Sequence, residues 1–222
     1  MKKYFLKFLA VMAPAVITGI FFISCGRKGG EPFSGPLNNL KRYPYEKFHA
    51  TYEFSGDARG DEELVVADYG KYELRRTKSD MFSPESVDSE DKGAITLGVE
   101  VYSMDFKKHT AVHQRMQYLD SLYHLAANEM PTAQQYFESE MKKNFFINTG
   151  SDTIAGKLAT RWHQNEGALT LWIWNGILLR KHTQMDSKSF DMTIKTLDTL
   201  SAVDTSTFRV PQGFQIIDIP KL

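Results

Sequence analysis

The chain has 222 residues, 27 basic and 27 acidic, 13% aromatics and one cysteine. That balance leaves no basic excess to hold nucleic acid or an anionic membrane surface. A lone thiol excludes an intramolecular disulfide, so a fold of this length must be held by packing.

The first 25 residues read as an address. Lys2, Lys3 and Lys7 are the only charges before Arg27, and Phe8 to Ser24 is almost wholly apolar. A basic start, a short apolar core and a small residue before a cut site describe a secretory signal. The run is shorter than the roughly 20 apolar residues of a spanning helix. It ends in Phe22–Ile23–Ser24–Cys25–Gly26, which resembles the lipobox of bacterial lipoproteins, with Phe22 where Leu is usual. That resemblance implies a signal peptide over 1–24, cleavage before Cys25 and acyl chains such as palmitate on Cys25. Each buried acyl CH₂ contributes about 0.8 kcal/mol, so two or more chains make a stable membrane anchor. The alternatives are an uncleaved transmembrane anchor, or a plain signal peptide with an incidental cysteine. Cleavage would remove three basic residues and no acidic one, giving a net charge of −3.

Residues 25–42 include Gly26–Asn39, a Gly/Pro/Ser/Asn-rich run without periodicity that predicts a flexible tether. Gly26 in place of Asp follows the sorting pattern of Gram-negative lipoproteins sent to the outer membrane, facing the periplasm.

A single domain is expected over 43–222. Phe48, Ala50, Tyr52 and Phe54 alternate with polar residues, the pattern of a half-buried strand. Further strands are expected at Glu63–Asp68, Lys71–Lys78 and Ala94–Asp105, with a short one around Thr110–Val112. The polar, acidic stretch Ser79–Gly93 reads as a loop. The period then changes. Met116, Leu119, Leu122, Tyr123 and Ala126 recur at helical spacing over Gln114–Asn128, and Ala133, Tyr136, Phe137 and Met141 form the stripe of a second helix. Strands resume at Lys157–His163, Ala168–Trp174, Ile177–Met185, Phe190–Leu200 and Phe214–Ile219. The expected class is therefore α+β, with nine or ten strands in meandering antiparallel pairing and two helices.

Three stretches of the second half carry a family resemblance: Ile154–Ala155–Gly156–Lys157, then Leu171–Trp172–Ile173–Trp174–Asn175–Gly176–Ile177–Leu178–Leu179, then Phe208–Arg209–Val210–Pro211–Gln212–Gly213–Phe214. Their order resembles the DUF4412 family of envelope proteins, related in design to the lipoprotein carriers and receptors LolA and LolB. The chain departs from that pattern in its helical insert at Gln114–Lys143. The resemblance implies a strongly curved antiparallel sheet, an incomplete β-barrel, with helices covering its concave side. It also implies a concavity that takes acyl chains of a lipid or lipoprotein.

In the strand at 169–174, Leu169, Leu171 and Ile173 share one face, and Thr170, Trp172 and Trp174 the other. A strand apolar on both faces must be covered on both. Trp172 and Trp174, with Tyr136, Phe137, Met141 and Leu122 from the helices, are the candidate pocket residues; the competing reading is ordinary core.

Chemistry of other kinds finds little support. His109 and His113 stand four apart without a nearby third ligand, so no metal is assigned. There is no G-x-S-x-G, no phosphate-binding glycine loop, and the paired carboxylates are merely adjacent. The expectation is a non-enzymatic lipoprotein without cofactor. Its partners would be the membrane, through Cys25, and an apolar ligand or an envelope protein. The alternative is an envelope-assembly module with a filled core.

Overall fold

The computed structural model describes residues 41–83, 85–116, 138, 141–164, 168–185 and 187–219. They form one open twelve-stranded sheet. In chain order the strands are β1 (Phe48–Gly56), β2 (Ala58–Ala67), β3 (Tyr72–Phe82), β4 (Val87–Leu97), β5 (Glu100–Asp105), β6 (Thr110–Arg115), β7 (Phe146–Ile154), β8 (Lys157–Gln164), β9 (Leu169–Trp174), β10 (Ile177–Met185), β11 (Lys188–Asp198) and β12 (Gln215–Asp218). Across the sheet they run β12-β6-β5-β4-β3-β2-β1-β11-β10-β9-β8-β7. Two meanders, β1–β6 and β7–β11, join side by side where β1 pairs antiparallel with β11.

This corrects the α+β expectation. Among the described residues the fold is nearly all β, with 3-10 turns at Asp68–Gly70 and Thr205–Phe208 and no helix of seven or more residues. The first expected helix fails at its start. Gln114 and Arg115 extend β6, opposite Val101 and Glu100, and the Met116 amide donates to the Val99 carbonyl at 2.8 Å. A hairpin partner supplies cross-strand hydrogen bonds that helical spacing alone cannot anticipate. Of the second, Glu138 and Met141–Lys143 are helical; the remainder of both segments lies outside the described residues. The pairing is also not wholly antiparallel, because β12 runs parallel to β6.

The expected loop at Ser79–Gly93 is strand as well. β3 runs to Phe82 and pairs with β4 along its length. Its polarity is satisfied across the ribbon. Arg76 donates two hydrogen bonds to Asp91 at 3.0 and 2.9 Å, Lys78 faces Asp91, and the Ser89 hydroxyl donates to Asp80. Opposite-charge cross-strand pairs stabilise such a solvated ribbon.

Two turns follow from sequence directly. Asn175 and Gly176 both take positive φ, 48° and 78°, the left-handed pair of a two-residue hairpin turn. At Gly60, φ is +143° and an added Cβ would stand 2.0 Å from the Lys78 carbonyl oxygen, so only glycine lets β3 pair with β2 there.

Two core clusters pack on the sheet; over β1–β2 and β11 the first takes one face, and at β9–β10 it also takes in Trp172 and Ile177. The first cluster joins Phe48, Ala50, Tyr52 and Phe54 of β1 to Leu64 and Val66 of β2. It continues through Phe190, Met192 and Ile194 of β11 and Leu171 and Ile173 of β9, and takes in Met141 and Phe146. The second cluster lies on the other face of β2–β6, around Val65, Ile95, Met104 and Ala111. The C-terminal segment covers it. Asp204 caps the Thr205–Phe208 turn by accepting from the Ser206 amide at 2.9 Å. Phe208 then packs against Tyr72 at 5.9 Å between ring centroids, and Phe214 meets Phe106 edge-on at 5.3 Å. The aromatic residues of the 208–214 motif thus serve as the cover of the second core.

Candidate functional site

Paired residues on antiparallel strands point to the same side of the sheet, so the register maps the first cluster's face. One lateral row runs from Trp162 through Leu171, Lys181 and Met192 to Phe54. A second runs from Ile194 through Tyr52 and Glu62 to Thr77. A third sets Ala50 beside Leu64 and Arg75. The face is apolar over β1 and β8–β11, and carries buried charge where β2, β3 and β10 contribute to it.

The charge forms a network. Arg75 and Glu62 are each 5% exposed and hydrogen-bonded to one another. The Thr77 hydroxyl donates to the second Glu62 oxygen at 2.9 Å. Glu73 lies 3.6 Å from Arg75 and 3.2 Å from Arg42, and accepts a hydrogen bond from the Tyr43 hydroxyl at 3.0 Å. Burial opposes the charge on Arg75, but Glu62 and Glu73 outweigh it and hold the guanidinium above its usual range. Burial, with Glu73 beside it, pushes the Tyr43 phenol up, and burial does the same to Tyr52. The Tyr52 hydroxyl donates to the Leu178 carbonyl at 3.1 Å, so it is satisfied within the core.

Lys181 stands apart. It is 9% exposed, and its nearest ring is Phe190, 5.8 Å from the ammonium. Among the described residues no hydrogen bond or ion pair reaches that ammonium. Burial lowers its pKa; Glu62 acts the other way and Arg75 adds to the lowering. In the same row, Trp162 is 4% exposed and its indole N–H is buried without a hydrogen-bond partner. Thr183, two residues on, is also buried.

Of the residues singled out from sequence, Met141 and Trp172 belong to the first cluster and Trp174 packs against it. Trp172 and Trp174 do share a strand face, the one opposite Leu171 and Ile173. Trp172 pairs with Arg161 and Arg180, and through them lies on the side of Thr193 and Glu53. Its indole donates to Asp152 at 2.6 Å under the Arg180 guanidinium, 4.8 Å from the ring. Trp174 lies beneath the Lys157 ammonium at 4.0 Å and beside Tyr45. Met141 is buried in the first cluster. Leu122, Tyr136, Phe137 and Cys25 lie outside the described residues. His109 occupies a turn at φ 52°, whereas His113 on β6 bonds Asp218 at 2.6 Å and Glu100 at 3.0 Å. Among the described residues no three His, Cys, Asp or Glu side chains are grouped to hold a metal.

Lys181, Trp162, Glu62 and Arg75 were not singled out from sequence. A signal existed for Lys181. It breaks the apolar parity of a strand whose neighbours Leu178 and Leu179 are hydrophobic, and a cation at a core position is rare unless paired.

No family model matches the chain, and no curated protein matches it. The resemblance to DUF4412 is therefore not shown by these comparisons. Among solved structures, the chain is similar to an uncharacterized conserved protein from Thermus thermophilus, with 10% identity, a TM-score of 0.51, 82% of this chain and 96% of that one covered. That likeness is one of fold. Looser similarities reach LprF from Mycobacterium bovis, at 12% identity, a TM-score of 0.33, and 76% and 94% coverage. The Mycobacterium tuberculosis lipoprotein LppX matches at 13% identity, a TM-score of 0.33, and 76% and 97% coverage. At those scores neither bears on mechanism.

Proposed function

We propose that the chain is a lipid-anchored envelope lipoprotein whose sheet binds an amphiphile on the face of the first cluster, and that it acts by binding, not catalysis. The observation that carries the reading is the continuous apolar face of β1, β2 and β8–β11, met by buried charge from β3 and β10. Acyl chains gain about 25 cal/mol per Å² of apolar surface removed from water, and a polar edge would orient the headgroup. The lipobox-like ending at Cys25 supports membrane attachment, with the outer membrane, facing the periplasm, as the expected site.

The test has two arms. Expressed in a Gram-negative host, the full chain should incorporate labelled palmitate and float with membranes, and Cys25→Ala should do neither. Mass spectrometry of the purified chain should show a non-covalent amphiphile near one per protein. Protein that purifies without ligand, and takes up none when offered, refutes the binding reading.

A second reading has its own observation. On the edge strand β7 Ile147 is 50% exposed, and Phe145 just before it 76%. A sheet edge bearing apolar side chains suits addition of a strand from an envelope protein. Cross-linking from this edge to a protein partner, with no ligand in the first cluster, would favour it.

A further inference from the structure

The register sorts the strand ends into two rims. At one lie the turns Asp68–Gly70, Ala155–Gly156 and Asn175–Gly176, with the end of β11 beside the start of β1. At the other lie the β1–β2 and β3–β4 connections and the start of β7. The chain enters at the first rim. Arg42 and Tyr43 donate their amides to the Tyr69 carbonyl at 3.0 and 3.3 Å, and the Tyr69 amide donates to the Glu46 carbonyl at 2.9 Å. A Gly/Pro/Ser/Asn-rich coil of the length between Cys25 and Lys41 spans about 22 Å r.m.s.. The far rim stands a further nine-residue strand away, about 28 Å. An anchor at Cys25 therefore holds the first rim toward the lipid.

The side chains of this rim suit a membrane interface. Leu200, just past β11, is 88% exposed, and Leu158, just past the Ala155–Gly156 turn, 69%. Cations lie over rings beside them. The Lys157 ammonium stands 4.0 Å from the Trp174 ring centre and the Lys41 ammonium 4.2 Å from that of Tyr69. Exposed leucines gain by leaving water for acyl chains. Trp, Tyr and Lys, each an apolar body with a polar tip, settle at headgroup level. The far rim also exposes apolar groups, Val87 and Phe145, so composition alone does not choose between the rims; the entry point of the chain does.

We infer that this rim is a membrane-docking surface. Leu158 and Leu200 enter the acyl region of the phospholipid leaflet that holds the lipid on Cys25, and Trp174, Tyr69 and the two lysines lie among its headgroup phosphates. This rests on the lipid anchor at Cys25 proposed above and is independent of amphiphile binding by the first cluster.

The experiment uses the full chain, acylated in a Gram-negative host and reconstituted in vesicles of phosphatidylethanolamine and phosphatidylglycerol. Cys25 is the only cysteine, so once it is acylated Leu158→Cys, Leu200→Cys and Val87→Cys each present a single thiol for a nitroxide label. All three positions are exposed, so the variants should fold. Oxygen concentrates among acyl chains and a nickel chelate stays in water. The ratio of oxygen to chelate collisions should be about threefold or more higher at 158 and 200 than at 87, for side chains seated below the headgroups. Lys41→Glu combined with Lys157→Glu should bring both ratios down toward that at 87. Equal ratios at all three positions in acylated, vesicle-bound protein overturn the docking surface and leave the anchor intact. Low collision with both reagents at 158 and 200 sets the rim against protein and overturns it as well. A reactive Cys25 thiol in protein that does not float with the vesicles overturns the anchor and the docking together.

Discussion

The sheet carries two cores, and they are closed in different ways. The second, under the C-terminal segment, is sealed by Phe208, Val210 and Phe214 against Val65, Ile95 and Met104. The first contains larger apolar residues yet also encloses Arg75, Glu62 and Lys181 at 5 to 9% exposure. Both sit on shared strands, since β2 and β3 give alternate residues to each. Val65 faces one and Leu64 the other; Leu74 faces one and Arg75 the other. A face that needed only stability would match the second core, because replacing buried ions with packed apolar groups is commonly neutral or stabilising. Among the described residues the buried charge lies in the first core.

Substitutions can break that comparison. The largest effect is expected from Glu62→Ala. It leaves Arg75 and Lys181 buried without their nearest counter-charge, at a cost of about 3–5 kcal/mol. Urea denaturation that shows a loss below about 1 kcal/mol would mean water reaches the network, as it does at exposed pairs, and the contrast is lost. Phe208→Ala should follow at about 3 kcal/mol, the low end for removing a buried ring, because its neighbours belong to a surface segment able to settle inward. Its denaturant midpoint should fall without any change in ligand binding.

Lys181→Met should act in the opposite direction, raising the stability of the ligand-free protein by about 1 kcal/mol. The pH dependence fixes the cause. The folded pKa of Lys181 lies below its unfolded value, so the cost of the buried charge is full below the folded pKa. It fades as pH rises through that value toward the unfolded one. The melting-temperature gain of the variant should therefore shrink on going from neutral pH toward the ordinary lysine value, about 10. A gain independent of pH would assign the effect to packing.

The smallest effect belongs to β12, beside the second core. His113 stacks on Tyr102 at 4.4 Å and links Asp218 to Glu100. The hydrogen bond His113 donates to Asp218 raises its pKa; burial opposes this and Glu100 adds to it. With the folded value raised, the contribution to β12 docking is complete below the ordinary histidine value. It is lost as pH rises through the folded one. Amide exchange in Gln215–Asp218 should quicken over that window, and Asp218→Asn should move the His113 titration, followed by NMR, to lower pH. An unmoved titration would remove Asp218 as the cause.

Much of the sheet was legible because alternation is local. The β1 pattern, the strand at Lys157–His163 and the parity of Leu171 against Trp172 all read correctly from adjacent residues. The ribbon of β3 and β4 did not, since its polar side chains satisfy one another only across strands, as Arg76 and Asp91 do. Of the candidate site, Trp172 drew attention by size and is buried in the first cluster, and Trp174 packs against it; their outer sides lie under Arg180 and Lys157. Lys181, an ordinary residue in a polar-looking strand end, is as buried as Trp172.

By itself the sequence determined where strands alternate and where Asn175–Gly176 must turn. Only the tertiary structure decided which parity of each strand faces which core, and so brought Trp162, Leu171 and Lys181 into one row. The reason is the period of two. Alternation separates two sides within a strand, but which side is buried, and against what, is decided by register with strands more than a hundred residues away, as where β1 meets β11.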